Sequence, residues 1–129
     1  MRSDFRALLL SSSDIAAEVG VRVYPLKLPQ NPTYPAITYQ VISDQSEKLL
    51  EGPDRIRRAR VQIDVWAATI STCQTITNYI RSLLDGQDNT QGNIRFRSAW
   101  TENEQDIYEE SIEKYRILSD YMITYWIVP

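Results

Sequence analysis

The sequence predicts an α+β fold: a single domain in which an antiparallel sheet of about four to six strands carries two main helices, in the order α-β-β-β-α-β-β. Three observations lead there. Residues Ala59 to Ala67 read ARVQIDVWA, with Ala59, Val61, Ile63 and Val65 alternating against Arg60, Gln62 and Asp64 at the period of a strand. Ser71 to Leu84 places Cys73, Ile76, Ile80, Leu83 and Leu84 at the three- and four-residue spacing of a helix face. Tyr115 to Val128 alternates again and is apolar on both faces near its end, the mark of a central or covered strand. A length of 129 residues, 43% of them hydrophobic and 24% charged, suits one globular domain.

The remaining elements follow in chain order. Phe5, Leu8 and Leu9 share a helical face, and Ser11-Ser12-Ser13 interrupts it. Asp14 then reads as the N-cap of a short helical turn, with Ile15 and Val19 inward and Gly20 at its C-terminus. Val21 to Tyr24 forms a short strand before Pro25, Pro29, Pro32 and Pro35 impose a loop or sheet edge, since proline cannot donate to a ladder. Ile37, Tyr39 and Val41 resume alternation, and Gly52-Pro53-Asp54 marks a turn before the ARVQIDVWA strand. Ser71 and Gln74 have capping-box spacing at the helix start. Asp85 to Gly92 reads as an irregular polar loop, Ile94 to Trp100 as a further strand, and Glu102 to Glu113 as an acidic break before the last strand.

Composition excludes several classes of function. The chain has no histidine, so Ser-His-Asp and Cys-His chemistry is impossible, and the commonest metal ligand is missing. The single cysteine, Cys73, sits on the apolar face of the helix, where packing is the plain reading. No apolar run approaches the ~20 residues of a membrane span, and the N-terminus lacks the apolar core of a secretory signal. A net charge of −3 argues against a dedicated nucleic-acid binder. Glu109 and Glu110 are adjacent, and neighbouring strand residues point opposite ways, which gives no acid–base pair. The expectation is a protein without catalytic residues, cofactor or metal.

Interface candidates remain. Arg55, Arg57, Arg58 and Arg60 form the densest positive group, split by alternation so that Arg58 and Arg60 face one way and Arg57 the other. The plainer reading is a solvated strand face; the sharper one is a partner surface. The acidic run, including Glu104, Asp106, Glu109 and Glu110, is a candidate complement on a neighbouring subunit, against the plainer reading of a soluble loop. Tyr24 and Tyr34 stand in the proline-rich loop, where aromatics anchor interfaces. Trp66, Trp100 and Trp126 are read as core.

The order of four segments carries a family resemblance: GVRVYPLKLPQ at Gly20 to Gln30, PAITYQ at Pro35 to Gln40, LLEGP at Leu49 to Pro53, and ARVQIDVWA followed by a helix. Together they resemble the tail completion proteins of long-tailed bacteriophages, which are similar to tail terminator or tail-to-head joining proteins. The resemblance implies a homo-oligomeric, hexameric ring that caps the tail tube, stops its polymerisation and meets the head connector. The implied partners are further copies of the chain, the major tail tube protein and a head-completion or connector protein, with no membrane. The implied location is the head-proximal end of the virion tail, after assembly in the host cytoplasm. Each copy adds a charge of −3, and an acidic lumen lets DNA pass without specific binding. The loops Pro25 to Pro35, Gln45 to Arg57 and Asp85 to Asn93 are the expected ring-forming surfaces. A head-completion or stopper ring is the alternative within the same machinery, and a small nucleic-acid-binding module using the arginine group is the alternative outside it.

Overall fold

A computed structural model describes residues 1–46, 56–85 and 88–127. Three helices, α1 (Arg2–Leu10), α2 (Ser13–Val19) and α3 (Ile70–Leu84), accompany six strands. The strands are β1 (Val23–Pro25), β2 (Ala36–Ser46), β3 (Ile56–Ala67), β4 (Asn89–Gln91), β5 (Ile94–Glu109) and β6 (Lys114–Ile127). They form one sheet in the order β1-β2-β3-β6-β5-β4. The α+β class and the strand number match expectation, and the sheet itself is mixed.

The exception to antiparallel pairing is β1, which runs parallel to β2 with Val23 beside Ile37 and Pro25 beside Tyr39. The proline-rich segment between them acts as a crossover, returning the chain to the starting end of β2. Its ends are pinned: Arg22 donates from Nε to the Pro35 carbonyl at 2.9 Å, and the Leu26 amide donates to the Tyr39 carbonyl at 2.8 Å. The Tyr34–Pro35 bond is cis. Arg6 of α1 donates to the carbonyls of Val21 and Val23, both at 2.9 Å, and so ties the first helix to the sheet edge.

Helix boundaries follow local capping. Ser12, not Asp14, caps α2, its hydroxyl accepting from the Ile15 amide at 3.3 Å, and Gly20 ends the helix at φ 61° as expected of a residue without Cβ. At α3 the cap is Thr69, accepting from the Thr72 amide at 3.2 Å, so the helix starts ahead of the Ser71 expected from spacing.

Two stretches read as irregular are strands. Asn89–Gln91 pairs with Ile94–Phe96 through a two-residue turn, which Gly92 permits at φ 59° in the first turn position. A Cβ at Gly92 would come within 2.8 Å of the Asp4 carboxylate, a side-chain end that can shift, so it is the backbone conformation that demands glycine. The acidic run is not a loop: β5 continues through it to Glu109 and pairs with β6 along its length, with register shifts at Phe96/Ser98 and Thr101/Asn103. Cross-strand pairing with β6 overrides the poor strand propensity of these carboxylates. The expected turn at Gly52-Pro53-Asp54 lies outside the described residues.

The helices cover one face of the sheet. Phe5, Leu8 and Leu9 of α1 and Cys73, Ile76 and Ile80 of α3 pack with Val61, Ile63, Val65, Tyr121, Ile123 and Tyr125, all buried. Phe5 joins the layers, its ring centroid 5.7 Å from that of Tyr39 and 6.1 Å from that of Phe96. Arg57 enters this side near its rim, donating at 3.0 Å to Asp44 and at 3.1 Å to the Tyr125 hydroxyl, which itself donates to Asp44. Burial and the Asp44 carboxylate push the Tyr125 hydroxyl pKa up to about 12. Truncating Phe5 to alanine removes the bridge between helix and sheet, and a loss of about 3–5 kcal/mol is expected. In urea unfolding this appears as a lower midpoint with an unchanged m-value.

Candidate functional site

Among the described residues, the opposite face of the sheet carries no helix. Across its middle run Gln62 beside Asp120, Arg60 beside Met122 and Trp100 beside Met122. Trp100 and Trp126 are exposed and Trp66 is half-buried, so the tryptophans are not the core residues expected from composition. Alternation fixes which side of a strand a residue takes, and these three take the side without helices. Arg97 stacks 4.9 Å over the Trp126 ring.

At one end of this face the proline-rich loop and the β5–β6 turn enclose an open groove of about 580 Å³. Leu26, Leu28, Pro29, Pro32 and Tyr34 form one wall, Ser111 and Ile112 the other, and Thr38, Gln62, Asp64, Trp66 and Arg116 the floor. Leu26 is held at φ 69°, a conformation costing about 1–3 kcal/mol for a residue with a Cβ, yet its side chain is 70% exposed. The backbone is held there by two hydrogen bonds, from the Leu26 amide to the Tyr39 carbonyl and from the Lys27 amide to the Pro25 carbonyl, both at 2.8 Å.

The floor is a polar cluster. Trp66 Nε1 donates to Thr38 Oγ1 at 3.0 Å, and Arg116 stacks 4.9 Å over the Trp66 ring. Arg116 also pairs with Glu109 at 2.7 Å and approaches Asp64 Oδ1 at 3.9 Å, beyond hydrogen-bond reach. Asp64 is only 7% exposed, and Gln62 donates to its other oxygen at 3.2 Å. Burial holds the Asp64 carboxyl above its ordinary pKa, aided by Asp120 and Glu109 and opposed by Gln62 and Arg116. Asp64 Oδ1 and Arg116 Nε are both buried without hydrogen-bond partners. A group offering a donor beside an acceptor complements them.

The residues singled out from sequence are dispersed. Tyr24 lies in β1, and Tyr34 lines the groove with the Lys114 ammonium 5.2 Å over its ring. Arg55 is outside the described residues. Arg57 faces the helical side and Arg60 the open side, as alternation requires, and Arg58 is an exposed neighbour on β3. The acidic run meets arginines of its own chain: Arg60 pairs with Glu102 at 2.8 Å, Arg116 with Glu109, and Arg81 with Glu104. Asp106 and Glu110 are exposed and have no hydrogen bond or ion pair among the described residues. Arg116 and Asp64 escaped the sequence reading because neither belongs to a charge cluster; the one available signal was an acid inside the apolar run Ile63 to Ala67.

Cys73 is buried, its thiol donating to the carbonyls of Val65 and Tyr115 at 3.4 Å each, and burial pushes its pKa up to about 11. A thiol in that state is a poor nucleophile. Among the described residues no acidic or cysteine cluster is placed to hold a metal ion, and no helix is long and apolar enough to cross a membrane.

A mixed sheet covered by helices on one side and carrying a groove on the other is the α+β frame of the chain. The chain belongs to the family described as Tail completion protein gp17, whose sequence model matches residues 3–125. It is thus a structural protein of bacteriophage tail assembly. Its fold is similar to that of a chain in the virion of a native gene transfer agent particle, with a TM-score of 0.71 and 16% identity over 98% of this chain and 94% of that one. A second solved chain aligns with a TM-score of 0.59 and 11% identity, covering 98% of this chain and 95% of the other. Comparison with curated protein sequences finds no match.

The buried carboxylate gives a test of the groove. A folded-state pKa above the unfolded value means that charged Asp64 opposes folding at neutral pH, and that this opposition fades as pH falls through the raised pKa. Asp64→Asn is therefore expected to be at least as stable as the wild type at pH 7. Its advantage should shrink on acidification toward about pH 4, where the unfolded carboxyl titrates. Denaturant midpoints measured between pH 4 and 8 check the sign.

Proposed function

We propose that the protein acts as a tail terminator. Copies of the chain close into a hexameric ring that caps the head-proximal end of the tail tube, stops its polymerisation and presents the joining surface to the head connector. The observation that carries this reading is the family match across residues 3–125. The shape of the subunit supports it. A closed ring needs two unlike surfaces on each copy, and the sheet ends in two unlike edges, β1 with β2 on one side and β4 with β5 on the other.

The partners under this reading are further copies of the chain, the major tail tube protein and the head-completion or connector protein. The candidate contacts are Tyr24 and Tyr34 of the proline-rich segment, Arg55, Arg57, Arg58 and Arg60, and the acidic residues Glu104, Asp106, Glu109 and Glu110. DNA passes through the lumen without specific binding. Arginines that already neutralise carboxylates of their own chain, as Arg60 and Arg57 do, have less charge to offer phosphate, which counts against the nucleic-acid-binding alternative.

Electron microscopy of the purified protein mixed with tail tubes tests the role. A density cap on one end of each tube, with tube length fixed thereafter, is the expected result. Protein that ignores tubes and binds isolated head connectors instead indicates a stopper ring, and binding to neither contradicts the proposal.

A further inference from the structure

Among the described residues the two sheet edges are open over overlapping windows. On one side β1 covers β2 only at Ile37–Tyr39, leaving Gln40–Ser46 without a second neighbour among the described residues. On the other, β4 covers β5 only at Ile94–Phe96, leaving Arg97–Glu109. The register carries heights across the sheet: Gln40 stands level with Gln62, Asp120 and Asn103, and Ser43 with Arg60, Met122 and Trp100. Gln40–Gln45 therefore lies at the height of Ser98–Asn103, and Ser46 is level with Phe96. Near the middle of this shared stretch each edge carries one large exposed apolar side chain, Ile42 at 47% exposure and Trp100 at 44%, while Tyr108 stands farther along β5.

Charge follows the same levels. Lys27, exposed just after β1, is fixed at the height of Glu104 by the hydrogen bond from Leu26 to Tyr39 and the rung Tyr39–Ile63–Ser119–Glu104, with unpaired Asp106 close by. At the opposite end Asp44 shares the rung of Ala99, near Arg97. Asp44 and Glu104 already pair with Arg57 and Arg81 of their own chain, so the charges left to the joint are Lys27 on one edge and Asp106 on the other.

We infer that these edges are the two halves of the ring joint: the β2 edge of one subunit meets the β5 edge of the next, with Ile42 packed on Trp100 and Lys27 facing Asp106. The inference rests on the ring reading, with the ring axis running along the strands, a rotation that leaves heights unchanged. β2 and β5 run in opposite directions within the sheet, so they meet antiparallel. β1 and β4 each stand one strand out, at opposite ends of the window. They hold the two backbones about two strand spacings, roughly 10 Å, apart. Side chains must fill that gap, which gives Ile42 and Trp100 a reason to be large and exposed.

The test combines light scattering with cysteine cross-linking, both on protein incubated with tail tubes and then released. Ile42→Cys with Trp100→Cys in one chain should give, with a bismaleimide that spans about 10 Å, a ladder of covalent oligomers ending at the closed ring. Either single variant should stop at dimers, and the wild type, with Cys73 buried, should show none. Ile42→Glu, a surface change, should abolish the ring without lowering the thermal midpoint. Wild-type rings seen by scattering without a ladder in the double variant, or rings that survive Ile42→Glu, overturn this joint and leave the ring reading standing. Wild-type protein that never exceeds the monomer mass overturns both.

Discussion

The architecture depends on β6 lying between β3 and β5. This strand pairs with β3 from Lys114's neighbour Tyr115 to Trp126 and with β5 from Lys114 to Ile127, so the last segment of the chain joins two halves built earlier. Its inward residues Ile117, Tyr121, Ile123 and Tyr125 supply much of the floor on which α1 and α3 rest. Without it, the β2–β3 pair and the β4–β5 hairpin would expose unpaired backbone where the sheet is now continuous. The contacts it makes with β3 are distant in sequence, so the sheet is completed by non-local pairing, the slow and costly kind.

The same insertion decides what is left open. With β6 in the centre, the edges fall to two very short strands, β1 and β4, which cover only the ends of β2 and β5. Long open edges invite indiscriminate pairing, and this chain protects its edges with carboxylates along β5 and with register shifts in both β2 and β5. Protection of that kind leaves an edge selective: closed to a chance strand, and open to a surface of matching charge and step. The described helices all lie on one face, so the groove and the tryptophans are left on the face without them.

Where one physical signal dominated, the sequence was easy to read. Ala59, Val61, Ile63 and Val65 alternate because one face of β3 is fully buried, and Ile76 and Ile80 recur because α3 lies flat on the sheet. The family resemblance drew on these same strands and on the loops between them. Other features were hidden because tertiary context settles them. Three residues of β1 cannot announce a parallel partner, and Glu102, Glu104 and Asp106 look like loop until β6 is beside them. Tryptophan hydrophobicity does not say which face a strand turns to the helices, so Trp100 and Trp126 were misplaced. In the groove, Tyr34 was visible as an aromatic in a proline-rich loop. The burial of Asp64 was not, because it results from that loop folding back over the sheet.

The central claim is that one side of the sheet is finished in the subunit and the other side, with its edges, is finished by assembly. Hydrogen exchange of the free protein and of the protein bound at tail ends tests it directly. Amides of β6 and of the buried helix faces should exchange slowly and equally in both, while the segment after β1, Gln40–Ser46 of β2 and Arg97–Glu109 of β5 gain protection on assembly. Protection gained chiefly in α1, α2 and α3, with the open face and both edges unchanged, would contradict the account.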